Sequence, residues 1–91
     1  MVWTWDPDKA RANWEKHHVS FEAASLVFDD PMQLSEPDPH PDGDRWRTIG
    51  RVWHSTLFVV HTVIEDHGPP RIISARKATP SERRRYEDHR A

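Results

Sequence analysis

Hydrophobic and polar residues alternate along the second half of the chain with a period of two, which is typical of β-strands. The pattern predicts two long strands, Arg45 to Trp53 and Thr56 to Glu65, joined by a tight turn at His54-Ser55. Because both faces of the second strand are apolar, we expect it to be the central strand of a sheet. A loop from Asp66 to Pro70 leads into a third strand, Arg71 to Lys77.

The N-terminal part of the chain carries helix-capping signals instead. After a short predicted strand at Val2 to Trp5, Asp6 is the expected N-cap of a helix that runs from Pro7 to about His17. Ser20 is the expected N-cap of a second helix, from Phe21 to about Phe28. Two helices therefore precede the main strands.

A proline-rich, acidic stretch separates these helices from the long strands. We expect a brief strand at Met32 to Ser35 and then an exposed connection from Glu36 to Gly43, which its prolines exclude from a central strand. A chain of 91 residues is long enough for one hydrophobic core. The patterns together predict a single α+β domain, residues 1–91, with two N-terminal helices packed on a mainly antiparallel sheet.

The third strand runs directly into a helix start. Thr79 can accept a backbone hydrogen bond as N-cap, Pro80 suits the first helical position, and Glu82 completes a Thr-x-x-Glu capping box. A C-terminal helix is therefore expected from Thr79. Arg76 lies at the strand end beside this helix N-terminus, where backbone N–H groups also favour phosphate, and it is a candidate phosphate-binding residue.

Other cations have two interpretations. Alternation places Arg45, Arg47 and Arg51 on one face of the first long strand, where they either contact a polyanion or form a solvated face paired with Glu65 or Asp66. Without a β-bulge, the same alternation places Arg71 and Arg76 on opposite faces of the third strand. The candidate polyanion-binding residues are Arg45, Arg47, Arg51, Arg71, Lys77 and Arg83.

Composition narrows the classes of protein and of site. The chain has 13 Lys and Arg against 15 Asp and Glu, a formal charge of −2, so positive charge would have to be focused on one face to meet a polyanion. It has no cysteine, no apolar run near the roughly 18 residues of a membrane span, and no signal-peptide pattern. We expect a cytoplasmic protein. The histidine spacing predicts no metal site and no cofactor.

Short motifs along nearly the whole chain resemble those of the BrnT family of small bacterial toxins. They are Trp5-Asp6-Pro7, Lys9-Ala10, Asn13, Lys16-His17, Val19-Ser20-Phe21-Glu22-Ala23-Ala24, Arg45-Trp46, Ile49-Gly50, Ile73-Ser74-Ala75-Arg76-Lys77-Ala78 and Tyr86. One position departs from the family pattern, since Lys16-His17 is followed by His18 where the family usually has glycine. Histidine reaches the left-handed conformation of a helix end less readily than glycine does.

The resemblance implies a RelE-like fold and a toxin of a type II toxin–antitoxin pair. Such a toxin is a metal-independent endoribonuclease that inhibits translation and growth, and a BrnA-type ribbon-helix-helix antitoxin neutralises it. Operator DNA would be contacted only through the antitoxin. RNA cleavage of this kind needs a base for the ribose 2′-hydroxyl, cations on the phosphorane oxygens and an acid for the leaving 5′ oxygen. We assign Arg76 to the phosphate, Lys16 to a second phosphate contact or substrate positioning, and His17 to proton transfer.

Simpler interpretations remain for several of these residues. Lys16 and His17 also suit an ordinary helix C-terminus, where the helix dipole favours cations. We interpret His61 as a packed core residue rather than a catalyst, and the five tryptophans as mostly core. Beyond Ala78 and Tyr86 the last helix lacks an apolar stripe, which leaves open a non-catalytic module that binds an antitoxin and co-represses its operator. An inactive orphan toxin is a further alternative.

Overall fold

The computed structural model describes residues 2–41, 43–63 and 68–90. Its helices are α1 (Pro7–His17), α2 (Phe21–Ser25) and α3 (Pro80–Arg90), with a 3₁₀ turn at Leu26–Asp29, and its strands are β1 (Leu34–Pro37), β2 (Trp46–Val52), β3 (Ser55–His61) and β4 (Ile72–Lys77). The predicted α+β class and C-terminal helix are confirmed. The N-terminal helical region is one long helix followed by a short one and a 3₁₀ turn. The predicted pair of helices packed on the sheet is therefore confirmed only in part.

The four strands form one antiparallel sheet in the order β1-β2-β3-β4. The predicted interior position of β3 is confirmed, because β2 and β4 pair with its two edges. Residues 64–67, which hold the predicted end of this strand and the start of the following loop, lie outside the described residues, as does Asp42 of the acidic connection.

Two predicted strands are wrong in extent. Val2 to Trp5 does not form a strand, because only Thr4 reaches β4, in a parallel bridge to Arg71, before the chain turns into α1. The brief strand at Met32 to Ser35 is displaced by two residues to Leu34–Pro37. Its start is delayed by a turn in which the Asp30 carboxylate accepts from Met32 N–H at 2.8 Å. Pro37 is tolerated because β1 is an edge strand.

The hairpin turn between β2 and β3 is at Trp53-His54, not at the predicted His54-Ser55. Val52 pairs with Ser55, so the two residues between them make the turn. Trp53 adopts a left-handed backbone with φ 53°. Alternation alone does not reveal which pair of residues closes a hairpin, and the prediction was therefore shifted by one.

The predicted helix caps are confirmed. The Asp6 carboxylate accepts from Asp8 N–H at 2.9 Å, and the Ser20 hydroxyl accepts from Ala23 N–H at 3.0 Å. At the end of α1, His18 takes the left-handed conformation (φ 56°, ψ 33°), and its N–H donates to the Trp14 carbonyl at 2.8 Å. Histidine at this position therefore closes the helix as a glycine would.

The hydrophobic core lies between the N-terminal helical region and one face of the sheet, which we call the helix face. Phe21, Ala24 and Val27 are fully buried there and share the core with side chains of β2, β3 and β4. Gly50 on β2 allows the 3₁₀ turn to approach, since a Cβ at this position would lie 3.0 Å from Val27 Cβ.

Asn13 joins α1 to the rest of the core. Its side-chain amide donates to the carbonyls of Val19 and Ala75, each at 2.9 Å, and its carbonyl accepts from Ala75 N–H at 3.1 Å. The side chain is buried, with 7% of the residue exposed. All three bonds go to backbone groups, so one amide fixes the positions of α1, the chain after it and β4.

His61 is a core residue, as predicted. It is 2% exposed and its ring lies edge-on to Trp3 and Phe28. Its Nδ1–H donates to the Thr62 carbonyl at 3.0 Å, and its Nε2 is 2.7 Å from the Thr48 hydroxyl. Burial lowers the pKa of His61, although the Thr62 carbonyl and the Asp44 charge oppose this effect.

Replacing Asn13 should destabilise the fold strongly. In Asn13→Ala three buried backbone groups lose their partner, and each typically costs about 1–3 kcal/mol, so the free energy of unfolding should fall by roughly 3 kcal/mol or more. Urea denaturation measures this change. Glu15→Ala, at an exposed position of the same helix, is the control and should change stability by less than about 0.5 kcal/mol. A small effect of Asn13→Ala would contradict the role we give this amide.

The free energy of unfolding should fall as the pH drops below 6.5. Because the pKa of His61 is lowered in the folded protein from its usual 6.5, the unfolded chain takes up a proton at a pH where the folded chain does not. Stability is then greatest above 6.5 and decreases toward pH 5. Denaturation at a series of pH values measures the slope. It should flatten in His61→Gln and persist in His54→Gln, a control at an exposed histidine; equal slopes in both variants would refute the assignment.

Candidate nucleic-acid interface

The sheet face opposite the helix face, which we call the outer face, carries the predicted cations of β2 and β4. The strand register aligns Ile49, Phe58 and Arg76 in one row across three strands, and Arg47 lies in the next row. Helix α3 contacts this side at β2. Its Tyr86 is 1% exposed and donates to the Asp30 carboxylate at 2.5 Å. This tyrosine is the packing anchor that the sequence predicted for the last helix.

Arg76 is held by the capping box of α3. Its Nη1 and Nη2 donate to the two carboxylate oxygens of Glu82 at 2.7 and 2.9 Å, and the guanidinium carbon lies 4.1 Å from the centre of the Phe58 ring. Glu82 also accepts from Thr79 N–H at 2.8 Å, and the Thr79 hydroxyl accepts from Glu82 N–H at 3.2 Å. The predicted capping box is confirmed, and its carboxylate has a second partner that the sequence did not reveal.

This contact changes the electrostatics of both side chains. The hydrogen bond from Arg76 lowers the pKa of Glu82, with a smaller contribution from Thr79 N–H, and the same contact raises the pKa of Arg76. Nη1 also donates to the Lys77 carbonyl at 3.3 Å. The Nε–H and the second Nη2 hydrogen form no bond with the residues that the structure describes. This second edge of the guanidinium is therefore open, on a side chain that is 34% exposed.

Arg47 is neutralised within the sheet. Its Nε donates to Glu36 Oε1 at 2.9 Å, and its Nη1 lies 3.5 Å from Asp38 Oδ1. Arg85 of α3 donates to the same Glu36 oxygen at 2.6 Å, and this bond is the main cause of the lowered pKa of Glu36. Arg47 therefore has carboxylate partners, as one of its two interpretations expected. The partners lie on and just after β1, whereas the predicted Glu65 and Asp66 are outside the described residues.

The remaining predicted cations of β2 are arranged differently. Arg51 is exposed, and its backbone N–H donates to the Asp30 carboxylate at 2.9 Å. Arg45 precedes β2 and is partly buried, and its Nε is a buried atom without a hydrogen-bond partner among the described residues. Neither arginine forms an ion pair within the described part of the chain.

A bulge in β4 changes the predicted position of Arg71. Val60 pairs with Ser74 but His61 pairs with Ile72, so Ile73 is an extra residue in β4. Ile72 consequently faces the core, as Ala75 does, although the two are three positions apart in the strand. Alternation from Ile72 then directs Arg71 to the outer face, the same face as Arg76. The prediction that these two arginines oppose each other holds only for a regular strand, and this strand is not regular.

Lys16 and His17 are not brought together with Arg76. The Asn13 side chain of α1 bonds to the Ala75 backbone of β4. Helix α1 therefore lies along the free edge of β4, on the helix face of the sheet. The contacts of Arg76 are all on the outer face or at the strand end. Among the other predicted residues, Lys77 is exposed at the end of β4, on the helix face opposite Leu57, and Arg83 is exposed on α3.

Two of the five tryptophans are exceptions to the expected, mostly buried, set. Trp14 and Trp53 are 51% and 77% exposed, because one lies on the last turn of α1 and the other at the hairpin turn. The spacing of residues along the chain was enough to predict the capping box. It does not reveal whether a tryptophan at a helix end or a hairpin turn is exposed. The described residues contain no group of three side chains arranged to hold a metal ion. None of the helices in the described ranges is long and apolar enough to cross a membrane.

A comparison with curated proteins gave no match. A comparison with protein families did: the model of the family described as "ribonuclease toxin, BrnT, of type II toxin–antitoxin system" matches residues 5–82. The matched region covers most of the chain. It includes every strand, the Asn13 amide and the Arg76–Glu82 pair. Membership implies an RNA substrate and an antitoxin partner. This chain belongs to the BrnT family of ribonuclease toxins of type II toxin–antitoxin systems.

Proposed function

We propose that this chain is an endoribonuclease that cleaves RNA without a metal ion in the cytoplasm, and thereby inhibits translation until a BrnA-like antitoxin binds it. The observation that carries the proposal is the guanidinium of Arg76. One of its edges is held by Glu82, its face rests on Phe58, and its other edge is open. A guanidinium fixed in this way can donate two parallel hydrogen bonds to a phosphate.

In the proposed reaction the ribose 2′-hydroxyl gives its proton to solvent water and attacks the adjacent phosphorus, the bond to the 5′ oxygen breaks, and this oxygen takes a proton from solvent water, so that a 2′,3′-cyclic phosphate and a 5′-hydroxyl end form. The negative charge on the phosphorane oxygens increases in the transition state. Arg76 stabilises this charge through its Nε–H and free Nη2 hydrogen, and Glu82 keeps the guanidinium from rotating away. The outer-face cations Arg71 and Arg45 support the approach of the RNA backbone. Pre-positioned donors of this kind contribute most where water is excluded.

Lys16 and His17 take a different role in this proposal from the one that the sequence suggested. Because α1 lies at the free edge of β4, these side chains are placed to contact RNA that continues past that edge, away from the phosphate on Arg76. We therefore assign them, together with Lys77, to positioning of the flanking RNA. Arg47, Arg51 and Arg83 would contact the backbone on the other side of the phosphate.

Inhibition follows from the same geometry. A BrnA-like ribbon-helix-helix antitoxin would supply carboxylates to the second edge of Arg76 and to Arg71. The alternative is a non-catalytic module that only binds the antitoxin and its operator. One observation favours this alternative: Arg76 is paired with Glu82 and Arg47 with Glu36. In a module without catalysis, both ion pairs would only stabilise the fold. The two functions differ in what loss of Arg76 does.

Arg76→Ala should reduce cleavage of mRNA in a cell-free translation reaction by about 10²- to 10³-fold, the usual effect of removing one charge-stabilising donor. Arg76→Lys should recover only part of the rate, because an ammonium group lacks the planar fork. Glu82→Gln keeps an acceptor for Thr79 N–H but loses the ion pair, so it should reduce cleavage less than Arg76→Ala. Arg84→Ala, an exposed arginine on α3, is the matched control and should cleave as wild type does.

Thermal unfolding of each variant separates chemistry from folding. If Arg76→Ala and Glu82→Gln lower Tm equally and neither changes the cleavage rate, the pair is structural and the alternative function is favoured. If Arg76→Ala folds, binds the antitoxin and still cleaves RNA at the wild-type rate, the active site lies elsewhere.

A further inference from the structure

A pocket of about 160 Å³ opens between the end of α1, the start of α2 and the β2–β3 hairpin. We call it the hairpin pocket. Its rim consists of Trp14, His18, Trp53 and Lys77, and its floor includes Val19 and Leu57. The volume is close to that of an engineered cavity of about 150 Å³ that admits benzene. One planar ring could enter it, whereas a helix could not.

Aromatic rings are presented to solvent at this pocket. Trp53 is 77% exposed and Trp14 is 51% exposed, the largest exposed aromatic side chains among the described residues. Trp14 and His18 already form an edge-on pair, with their ring centres 5.7 Å apart. An exposed tryptophan lacks the free energy that burial of its ring would contribute. Two such rings at one opening are typical of a binding site for a ligand that stacks on aromatic rings.

The backbone holds two of these rings in place at some cost. His18 and Trp53 are the two non-glycine residues with positive φ in the described part of the chain, at 56° and 53°, and both line this pocket. The first is explained by the end of α1. For Trp53 the two-residue hairpin supplies the requirement, because the first turn position of a type I′ or II′ turn has positive φ, although glycine or asparagine is usual there rather than a bulky indole. Its conformation projects the indole at the turn, beside the opening.

The charge around the pocket fits an anionic ligand. Lys77 lines it, and no carboxylate is among its lining residues. Aromatic platforms next to a cation are the usual elements of a site for single-stranded RNA, in which bases stack and phosphates meet the cation. Apolar floor residues exclude water beneath a stacked base.

The pocket is adjacent to the proposed active site. Lys77 follows Arg76 directly in β4, so their Cα atoms are about 3.8 Å apart, while pairing to Leu57 and Phe58 directs them to opposite faces of the sheet. RNA whose phosphate is bound at Arg76 therefore needs to pass only the end of β4 to bring its next nucleotide to Lys77.

We propose that the hairpin pocket is a base-binding subsite, which receives an unpaired base next to the phosphate held by Arg76 and stacks it against Trp53 and Trp14. This inference rests on the proposed function, since it takes RNA as the substrate. It adds a determinant of where the toxin cleaves: the nucleotide at this position must be unstacked from its neighbours and free of a pairing partner.

The test uses a short single-stranded RNA with 2′-O-methyl groups, which the proposed reaction cannot cleave, and follows binding by quenching of tryptophan fluorescence and by anisotropy of a labelled copy. Trp53→Ala should weaken binding roughly 5- to 150-fold, the range for loss of one base-stacking contact. Trp53→Phe should retain most of the affinity. Met32→Ala, which removes an exposed apolar side chain outside the pocket, is the matched control and should bind as wild type does.

A second arm replaces one base of the RNA with an abasic site, at each position in turn. At one position the abasic RNA should bind wild type as weakly as the intact RNA binds Trp53→Ala, and the two losses should not add. If Trp53→Ala and Trp14→Ala both bind the RNA as wild type does, the subsite is refuted. If they lose affinity for the antitoxin and keep affinity for RNA, the pocket is an antitoxin site and the inference is equally overturned.

Failure of the proposed active site would be seen separately. Cleavage by Arg76→Ala reports on the active site, whereas binding of an uncleavable RNA by Trp53→Ala reports on the pocket. Weakened binding in Trp53→Ala together with unchanged cleavage in Arg76→Ala would leave the subsite in place and refute the assignment of Arg76.

Discussion

The side-chain amide of Asn13 is the constraint on which the arrangement of the molecule depends. β4 is an edge strand, and the N–H and C=O of Ala75 point away from β3, toward the free edge of the sheet. Asn13 bonds both groups, as a neighbouring strand would, and Thr4 pairs with the same edge nearer its start. The edge is thus closed to pairing with other chains. It also fixes α1 beside β4, so that the outer face is left to α3 and to the arginines.

Capping residues and local spacing predicted where the helices and strands lie. They did not predict features that depend on contacts between distant parts of the chain. Asp6, Ser20 and Thr79 cap their helices through bonds to residues two or three positions away, so spacing alone located the helix starts. The bulge at Ile73, by contrast, depends on how β4 accommodates the buried Ile72, and one extra residue reversed the predicted face of Arg71. The same limit applies to the candidate site. Arg76 was identified from the strand–helix junction, but its pairing with Glu82 requires the folded turn.

Charge on the outer face is largely balanced, which agrees with the formal charge of −2 of the chain. Arg47 and Arg85 share Glu36, and Arg76 is paired with Glu82. A face of this kind has little general attraction for polyanions compared with a surface of unpaired cations. Under the proposed function, affinity for RNA would come from a few oriented contacts rather than from net charge, and the second edge of Arg76 would provide one of them.

The junction of β4 and α3 concentrates these contacts in a short segment. Arg76 offers a guanidinium to the outer face, Lys77 extends to the helix face, and Thr79 and Glu82 begin the helix whose cap holds the guanidinium. Because one carboxylate both caps α3 and orients Arg76, the helix cannot fray at its start without releasing the arginine. Folding of the C-terminal helix and preparation of the candidate site are therefore the same event, and an antitoxin that alters the start of α3 would change the site without covering it.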